Sequence, residues 1–277
     1  MDYTYSQRTL TDDLHIQLFI AEAIRIDATW NSRNVQSAYW RLYLNEHDGA
    51  WLDLAGGRFP LDGGRLYFVP AGVTFTCGNG PEIEHFYVHF DLVGYPPVLL
   101  QELLRVPIPV PDDPDLLGRV RDIVALLRGA RADLAMQCRI KAAIYEAFSL
   151  AIAELGRDAV ARSEAHVAGL GPVMPALRRI ERDLGERLDN SILANACCMS
   201  EDHFIRRFRA AVGKTPARYL TERRITIAAQ QLRFTTRSIE SIAEQTGFGN
   251  RFYFTRVFAR ELGITPARYR LGEPSSQ

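Results

Sequence analysis

Two stretches near the C-terminus repeat each other at a spacing of 50 residues. Phe204-Ile205-Arg206-Arg207-Phe208 followed by Gly213-Lys214-Thr215-Pro216-Ala217-Arg218-Tyr219 returns as Phe254-Thr255-Arg256-Val257-Phe258 followed by Gly263-Ile264-Thr265-Pro266-Ala267-Arg268-Tyr269. Nine of the sixteen aligned positions are identical, and Ser191-Ile192 matches Ser241-Ile242 at the same offset. Self-similarity of this length means one supersecondary unit built twice.

Each copy reads as helix, turn, helix. In the first, Asp189 is a candidate N-cap, and Leu193-Ala194 begin an apolar stripe. A turn follows at Cys197-Cys198-Met199, and Ser200 caps a second helix. Phe204 and Phe208 stand at i and i+4 and so share the core face. In the second copy Ser238 or Thr236 caps the first helix and Gly247-Phe248 make the turn. Asn250 then caps a helix in which Phe254 and Phe258 face inward. Gly stops each second helix, Thr caps the next, and Pro takes its first turn. Two helices joined this way, with arginines left off the core face of the second, match helix-turn-helix geometry.

The charge distribution agrees. The chain carries 33 basic and 33 acidic residues. From Leu170 to Gln277 there are 18 Lys and Arg against 11 Asp and Glu, a net of +7, while residues 1–169 carry −7. A basic segment beside an acidic one points to a nucleic-acid-binding module joined to something else.

Residues 190–270 resemble the DNA-binding domain of the AraC/XylS family of bacterial transcription regulators. Ala194, Ser200, Phe204, Arg206 and Phe208 carry the first part of the family signature. Gly247, Phe248, Asn250, Tyr253, Phe254, Arg256 and Phe258 carry the second, and Gly263, Thr265, Pro266, Tyr269 and Arg270 close it. Three departures stand out. Cys198 occupies the first turn where Gly is usual, Asn190 replaces an apolar residue, and Ala259 replaces a Lys. The segment before Ala194 is also one residue short. The resemblance implies two helix-turn-helix units joined by a long helix and bound to double-stranded DNA. It also implies RNA polymerase as a partner and an activating role.

The residues expected to face DNA in the first unit are Ser200, Glu201, Asp202, His203, Ile205, Arg206 and Arg209. In the second they are Asn250, Arg251, Phe252, Thr255, Arg256 and Arg260. A single exposed Arg on a helix is usually just solvated. Arg206 and Arg256 at one place in two copies of a basic module weigh against that. Glu201 and Asp202 cut the other way, because carboxylates repel phosphates, although an acid can accept from cytosine N4.

The first half differs in kind. Short alternating runs occupy 16–26, 38–45, 51–54, 58–61, 65–69, 73–77 and 82–92. Turns fall at Asp48-Gly49, Gly56-Gly57, Asp62-Gly63-Gly64 and Gly78-Asn79-Gly80-Pro81. Such spacing predicts a β-sandwich or barrel. Trp40-x-Leu42-x-Leu44 leading to Gly49, then Leu61-x-x-Gly64-x-Leu66-x-x-Val69-Pro70-Ala71-Gly72, resembles the cupin-like sensor of the same family.

A cupin can be a metalloenzyme, which needs a His-x-His pair with Glu or Gln nearby and a further His on a later strand. The chain has no His-x-His, and Phe75 stands where the cupin pattern places a His. His85 and His89, four apart on one strand, are about 13 Å apart. A cupin enzyme, or a sugar-binding protein with a helical assembly tail, is therefore the weaker reading, and neither cofactor nor metal is expected. A small-molecule pocket fits better. His85, Tyr87 and His89 share one strand face, while Phe86, Val88 and Phe90 share the other. The resemblance to sugar-sensing members points to Arg33, His85 and Tyr87 as ligand contacts, with a sugar as the example effector. A strand His between aromatics is also a common structural hydrogen-bonder, and the sequence leaves the inward face open.

Pro107 to Pro114 breaks the chain before two helices, 116–128 and 134–155. The second carries the stripe Ile140, Ile144, Ala147, Phe148, Ala151 and Leu155, either packed inside one protomer or shared between two. The resemblance places a homodimer interface here. The expected fold class is α+β multidomain, with a cupin-like β-barrel over 1–110, a helical dimerisation segment over 111–156 and a linker over 157–171. An all-α double helix-turn-helix domain over 172–277 follows. Four cysteines without metal spacing, no run of 18 apolar residues and no leader-like start predict a cytoplasmic protein off the membrane.

Overall fold

The computed structural model describes residues 14–94, 96–101, 104–128, 133–155 and 168–272. Of the expected linker 157–171, residues 157–167 lie outside the described residues. The chain divides into two compact units, a two-sheet unit from Ile16 to Leu92 and onward from Gln101, and a helical unit that includes Val93–Leu100 and the described residues from 168.

Among the described residues nine strands form two sheets. They are β1 (His15–Ile26), β2 (Ser32–Gln36), β3 (Trp40–Asn45), β4 (Ala50–Leu54), β5 (Gly57–Leu61), β6 (Leu66–Val69), β7 (Thr74–Asn79), β8 (Ile83–Val93) and β9 (Ile108–Pro109). One sheet runs β1-β8-β3-β6-β9 and the other β2-β7-β4-β5. The pairings among β2 to β9 are antiparallel, with Arg41 opposite His89 and Tyr43 opposite Tyr87 between β3 and β8.

The two sheets share a core. Tyr43, Tyr67, Val69 and Ile83 of the first meet Leu52, Leu61, Phe75 and Cys77 of the second, all buried. The period of two along each strand then sends Trp40, Leu42, Leu44, Phe68, Phe86, Val88 and Phe90 to the outer face of the first sheet. These are buried as well, because helices cover them. After a short α1 (Pro97–Gln101), α2 (Pro114–Leu127) and α3 (Leu134–Ala153) pack on each other. Asp113 and Asp133 cap α2 and α3 by accepting from the amides of Leu116 and Met136. Phe148 of α3 sits edge-on to Trp40 and Phe68, 6.1 and 5.9 Å between ring centres.

Ile144 is fully buried and Phe148 nearly so within a single chain. From Ile140 to Ala151 the apolar stripe of α3 is buried within the one chain, while Leu155 is half-buried.

In the helical unit a 3-10 turn (Gly171–Val173) leads into α4 (Met174–Arg182). Next come α5 (Asn190–Ala196), α6 (Glu201–Val212), the long α7 (Pro216–Phe234), α8 (Ile239–Gln245), α9 (Arg251–Leu262) and α10 (Pro266–Arg270). The four phenylalanines of the repeat, Phe204, Phe208, Phe254 and Phe258, are fully buried. Each pair packs edge-on at 5.5 Å, and a tyrosine closes each cluster, Tyr219 on Phe208 and Tyr269 on Phe258. The core around Phe204 also takes in Val173, Leu177 and Ile180. Sequence reading missed α4, although Leu177 and Ile180 stand three apart behind Pro175 at its first turn.

Candidate functional site

The two turns of the repeat have one hydrogen-bond pattern. In the first, the amides of Cys198 and Met199 donate to the carbonyls of Asn195 and Ala194 at 3.1 and 3.0 Å. In the second, Gly247 and Phe248 donate to Glu244 and Ala243 at 3.0 and 2.9 Å. Both are Schellman ends, which put the residue after the cap in the left-handed region. Gly247 sits there at φ +75°, and Cys198 adopts the same conformation at φ +53°. The first turn is therefore not reshaped by its Cys. It keeps the glycine geometry with a side chain in it. The second turn is one residue longer, and Gly249 at φ +60° accommodates the extra residue.

Side chains of α7 hold the first unit in place. Arg223 donates two 2.8 Å hydrogen bonds to Glu181 of α4. Arg224 donates to the carbonyls of Leu184 and Glu186 at 2.9 and 2.6 Å. Its guanidinium lies so close under Gly247 that a Cβ there would approach it to 2.5 Å. One arginine thus touches the loop before the first unit and the turn of the second. At the far end Arg218 bridges Glu222 and Glu261; burial pushes the Glu261 carboxyl up, but hydrogen bonds from Arg260 and Arg218 outweigh it and hold that carboxyl below its ordinary value.

On this scaffold α6 and α9 present their outer faces. Ser200, Glu201, Asp202, His203, Arg206 and Arg209 are exposed, and Ile205 is half-buried. Asn250, Arg251, Phe252, Arg256 and Arg260 are exposed, and Thr255 is half-buried. Arg206 and Arg256 hold the same position one turn into each helix. Neither forms an ion pair among the described residues, whereas Arg260 is bound to Glu261. Asn250 caps α9 by accepting from Phe252 and Tyr253 at 2.7 and 3.1 Å. Ser200 occupies the cap position of α6 without a side-chain cap bond. Glu201 and Asp202 fall in the first turn of α6, where the helix dipole favours acids, so they have a structural reason to be there. Phe252 is 83% exposed, unusual for a ring of its size.

In the two-sheet unit the inward face is the polar-aromatic one. His85 is buried, with Nδ1 2.7 Å from Asn45 Oδ1, and Asn45 Nδ2 donates to the Leu61 carbonyl. Trp30 and Tyr43 flank it at 5.2 and 4.9 Å. Burial lowers its pKa to about 4, so the ring is neutral. Tyr87 stacks on His85 at 5.8 Å and donates to Glu22 at 2.5 Å. Arg33 is exposed on β2 of the other sheet. The structure therefore groups His85 with Tyr87. It also shows a cation between the sheets that pattern reading missed, Arg41, 3% exposed. Its only sequence signal is a charge on the inward face of β3.

A separate cavity of about 410 Å³ lies on the outer side of the first sheet under α2, bordered by Leu44, Glu84, Phe86, Arg121, Val124 and Arg128. Arg128 and Arg25 both pair with Glu84 there. Among the described residues no group of three His, Cys, Asp or Glu stands close enough to hold a metal ion, and no helix is long and apolar enough to cross a membrane.

Comparison with known proteins follows this division. A helix-turn-helix domain family matches residues 193–272. The regulatory protein SoxS of Salmonella typhimurium is 34% identical over 91 residues, a third of this chain and 85% of that protein. A putative AraC-like transcription regulator of Streptomyces lividans is 37% identical over 106 residues, 38% of this chain. That alignment spans 35% of the Streptomyces protein, and one with the MmsAB operon regulatory protein of Pseudomonas aeruginosa spans 28%, so the shared part is about a third of these relatives' length. Over most of the chain the fold is like that of ToxT from Vibrio cholerae, with a TM-score of 0.51, 11% identity, and coverage of 92% of this chain and 98% of that one. With its paired helix-turn-helix units and these relatives, the chain belongs to the AraC-like family of transcription regulators.

Proposed function

We propose that this protein is a transcription regulator whose two-sheet unit senses a small molecule and whose helical unit reads a specific duplex site. Its boundaries would follow the scheme of sensor to about residue 110, helices to 156, linker to 171 and reader beyond. The observation that carries the reading is the pair Arg206 and Arg256. They are exposed, form no ion pair among the described residues, and stand at equivalent places on two helices that one long helix joins. A recognition helix meets bases near its N-terminal turns. Arg251, Phe252 and Thr255 would read the second half of the site, and His203, Ile205 and Arg209 the first. Asn250 and Ser200 would set the helix starts, and Arg260 would approach phosphate after releasing Glu261.

Activation through RNA polymerase, a homodimer and a site of action in the cytoplasm complete the proposal. The dimer surface would be sought on the outward side of α3, since its inner stripe is buried. An enzymatic role has less support. The relatives are named as regulators, and the inward face pairs a neutral His85 with Asn45 rather than with a nucleophile or metal partner. A gel-shift assay on DNA flanking the protein's own coding region tests the reading. A discrete complex that resists unrelated competitor DNA is expected, and equal competition by any duplex would contradict it.

A further inference from the structure

The space between the two sheets contains a cation for which no described residue supplies a counter-charge. Arg41 enters it from β3, and Ser37 and Tyr39, its neighbours at that end, are 7% exposed each. The guanidinium carbon lies 4.8 Å from the centre of the Tyr39 ring and 5.1 Å from that of Phe75 on the facing sheet. One terminal nitrogen donates to Ser37 Oγ. The other, Nη1, is buried and has no hydrogen-bond partner. No carboxylate among the described residues forms an ion pair with Arg41.

This arrangement is a poor way to build a stable core. Arg cannot shed its proton, so burial leaves a full charge in a low-dielectric space. Cation–π contact with two rings offsets part of that. The two rings lie against the guanidinium, Ser37 and the Tyr43 hydroxyl approach its N–H edge, and Nη1 on that edge still has no partner; such an edge matches a carboxylate. A buried water could satisfy one N–H but would leave the charge uncompensated.

The neighbouring residues show where a ligand could lie. Directly across from Arg41 on β8 is His89, whose ring is 4.7 Å from Tyr39 and 4.8 Å from Tyr87. Both Tyr87 and His89 point between the sheets and yet are only half-buried. Solvent therefore reaches the inward face one strand away from the guanidinium.

We propose that Arg41 anchors the carboxylate of a small organic acid, whose apolar body lies against Tyr39, Phe75, Tyr87 and His89. The proposal rests on the reading that the two-sheet unit holds an effector, and it replaces the neutral sugar of the family resemblance with an anion. A sugar hydroxyl would satisfy Nη1 but not the charge.

The test uses the full chain and two isosteric pairs, benzoate with benzamide and hexanoate with hexanamide, followed by calorimetry and thermal unfolding. In the wild type at least one acid should bind at least about tenfold tighter than its amide, the margin of a charge-assisted contact over a neutral one. In Arg41→Met that ratio should fall to about one, while Arg41→Lys, which keeps a point charge, should retain part of it. Without ligand, Arg41→Met should melt no lower than the wild type, because it removes an unpaired buried charge. Acid and amide binding equally well in the wild type would overturn the carboxylate assignment and leave the effector reading standing. Binding of none of the four would overturn both. If Arg41→Met fails to fold, an undiminished ratio in Arg41→Lys combined with loss of structure in Arg41→Met would reassign Arg41 to structural support and overturn the proposal.

Discussion

The Arg223 guanidinium and the Glu181 carboxylate face each other across two 2.8 Å hydrogen bonds, with side chains only 10% and 5% exposed. The pair joins the long helix α7 to α4, and so fixes the helix that leads into the first unit against the one that joins the two units. Removing one partner leaves a buried charge without its ion-pair partner. Glu181→Gln or Arg223→Met should each destabilise the helical unit by about 3–5 kcal/mol, read by urea unfolding. The double replacement by apolar residues should recover much of that loss, and equal damage in single and double variants would argue against the pair as the cause.

Cys198 and Gly247 share a left-handed turn position, so opposite substitutions should have opposite effects. Cys198→Gly relieves a side chain in that region and should raise stability by roughly 0.5–1 kcal/mol. Gly247→Ala should lower it by more than about 1 kcal/mol, since its Cβ would also strike Arg224. Thermal unfolding of the two variants checks the signs.

His85 makes the two-sheet unit sensitive to acid. Its folded pKa, about 4, lies below the ordinary 6.5, so the unfolded chain takes up a proton that the folded one refuses. Stability should hold above pH 6.5 and decline as pH falls toward 4, by up to roughly 3 kcal/mol for this group alone. His85→Gln should flatten that part of the curve in melts at pH 7, 6, 5 and 4. An unchanged slope would place the acid sensitivity elsewhere.

Salt should weaken DNA binding in a graded way. The net charge of +7 from Leu170 onward and the exposed arginines of α6 and α9 predict that log K falls linearly with log salt. Filter binding of the full chain between low and physiological salt measures the slope, and a flat response would detach the basic charge from phosphate contact.

Much of the helical unit was legible because its signals are local. Asp189, Ser238 and Asn250 cap helices within three residues of themselves, Gly213 and Gly263 end them, and Phe pairs four apart leave one choice of core face. The β-strands from β3 to β8 were legible from alternation between turn residues. What escaped was set by contacts distant in sequence. β2 is exposed over most of its length and is a strand only because it pairs with β7, with a bulge and Asn34 at positive φ breaking its period. β9 is two residues that pair with β6. Which face of β8 points inward depended on α3 covering the other, and Arg41 could be recognised as unpaired only once its surroundings were known. Of the residues expected near a ligand, His85 and Tyr87 meet on the inward face, while Arg33 came from resemblance and stands exposed on the other sheet.

Selection of bound sequences from a random duplex library, carried out with the wild type, Arg206→Ala and Arg256→Ala, tests the central claim most directly. The wild type should enrich one site with two separated blocks. Each variant should relax selectivity at one position, in a different block for each, and lose about 1–3 kcal/mol on the wild-type site. Uniform weakening on every sequence, with no position relaxed, would assign both arginines to phosphate, and failure of the wild type to enrich any site would contradict the claim that this chain reads DNA sequence.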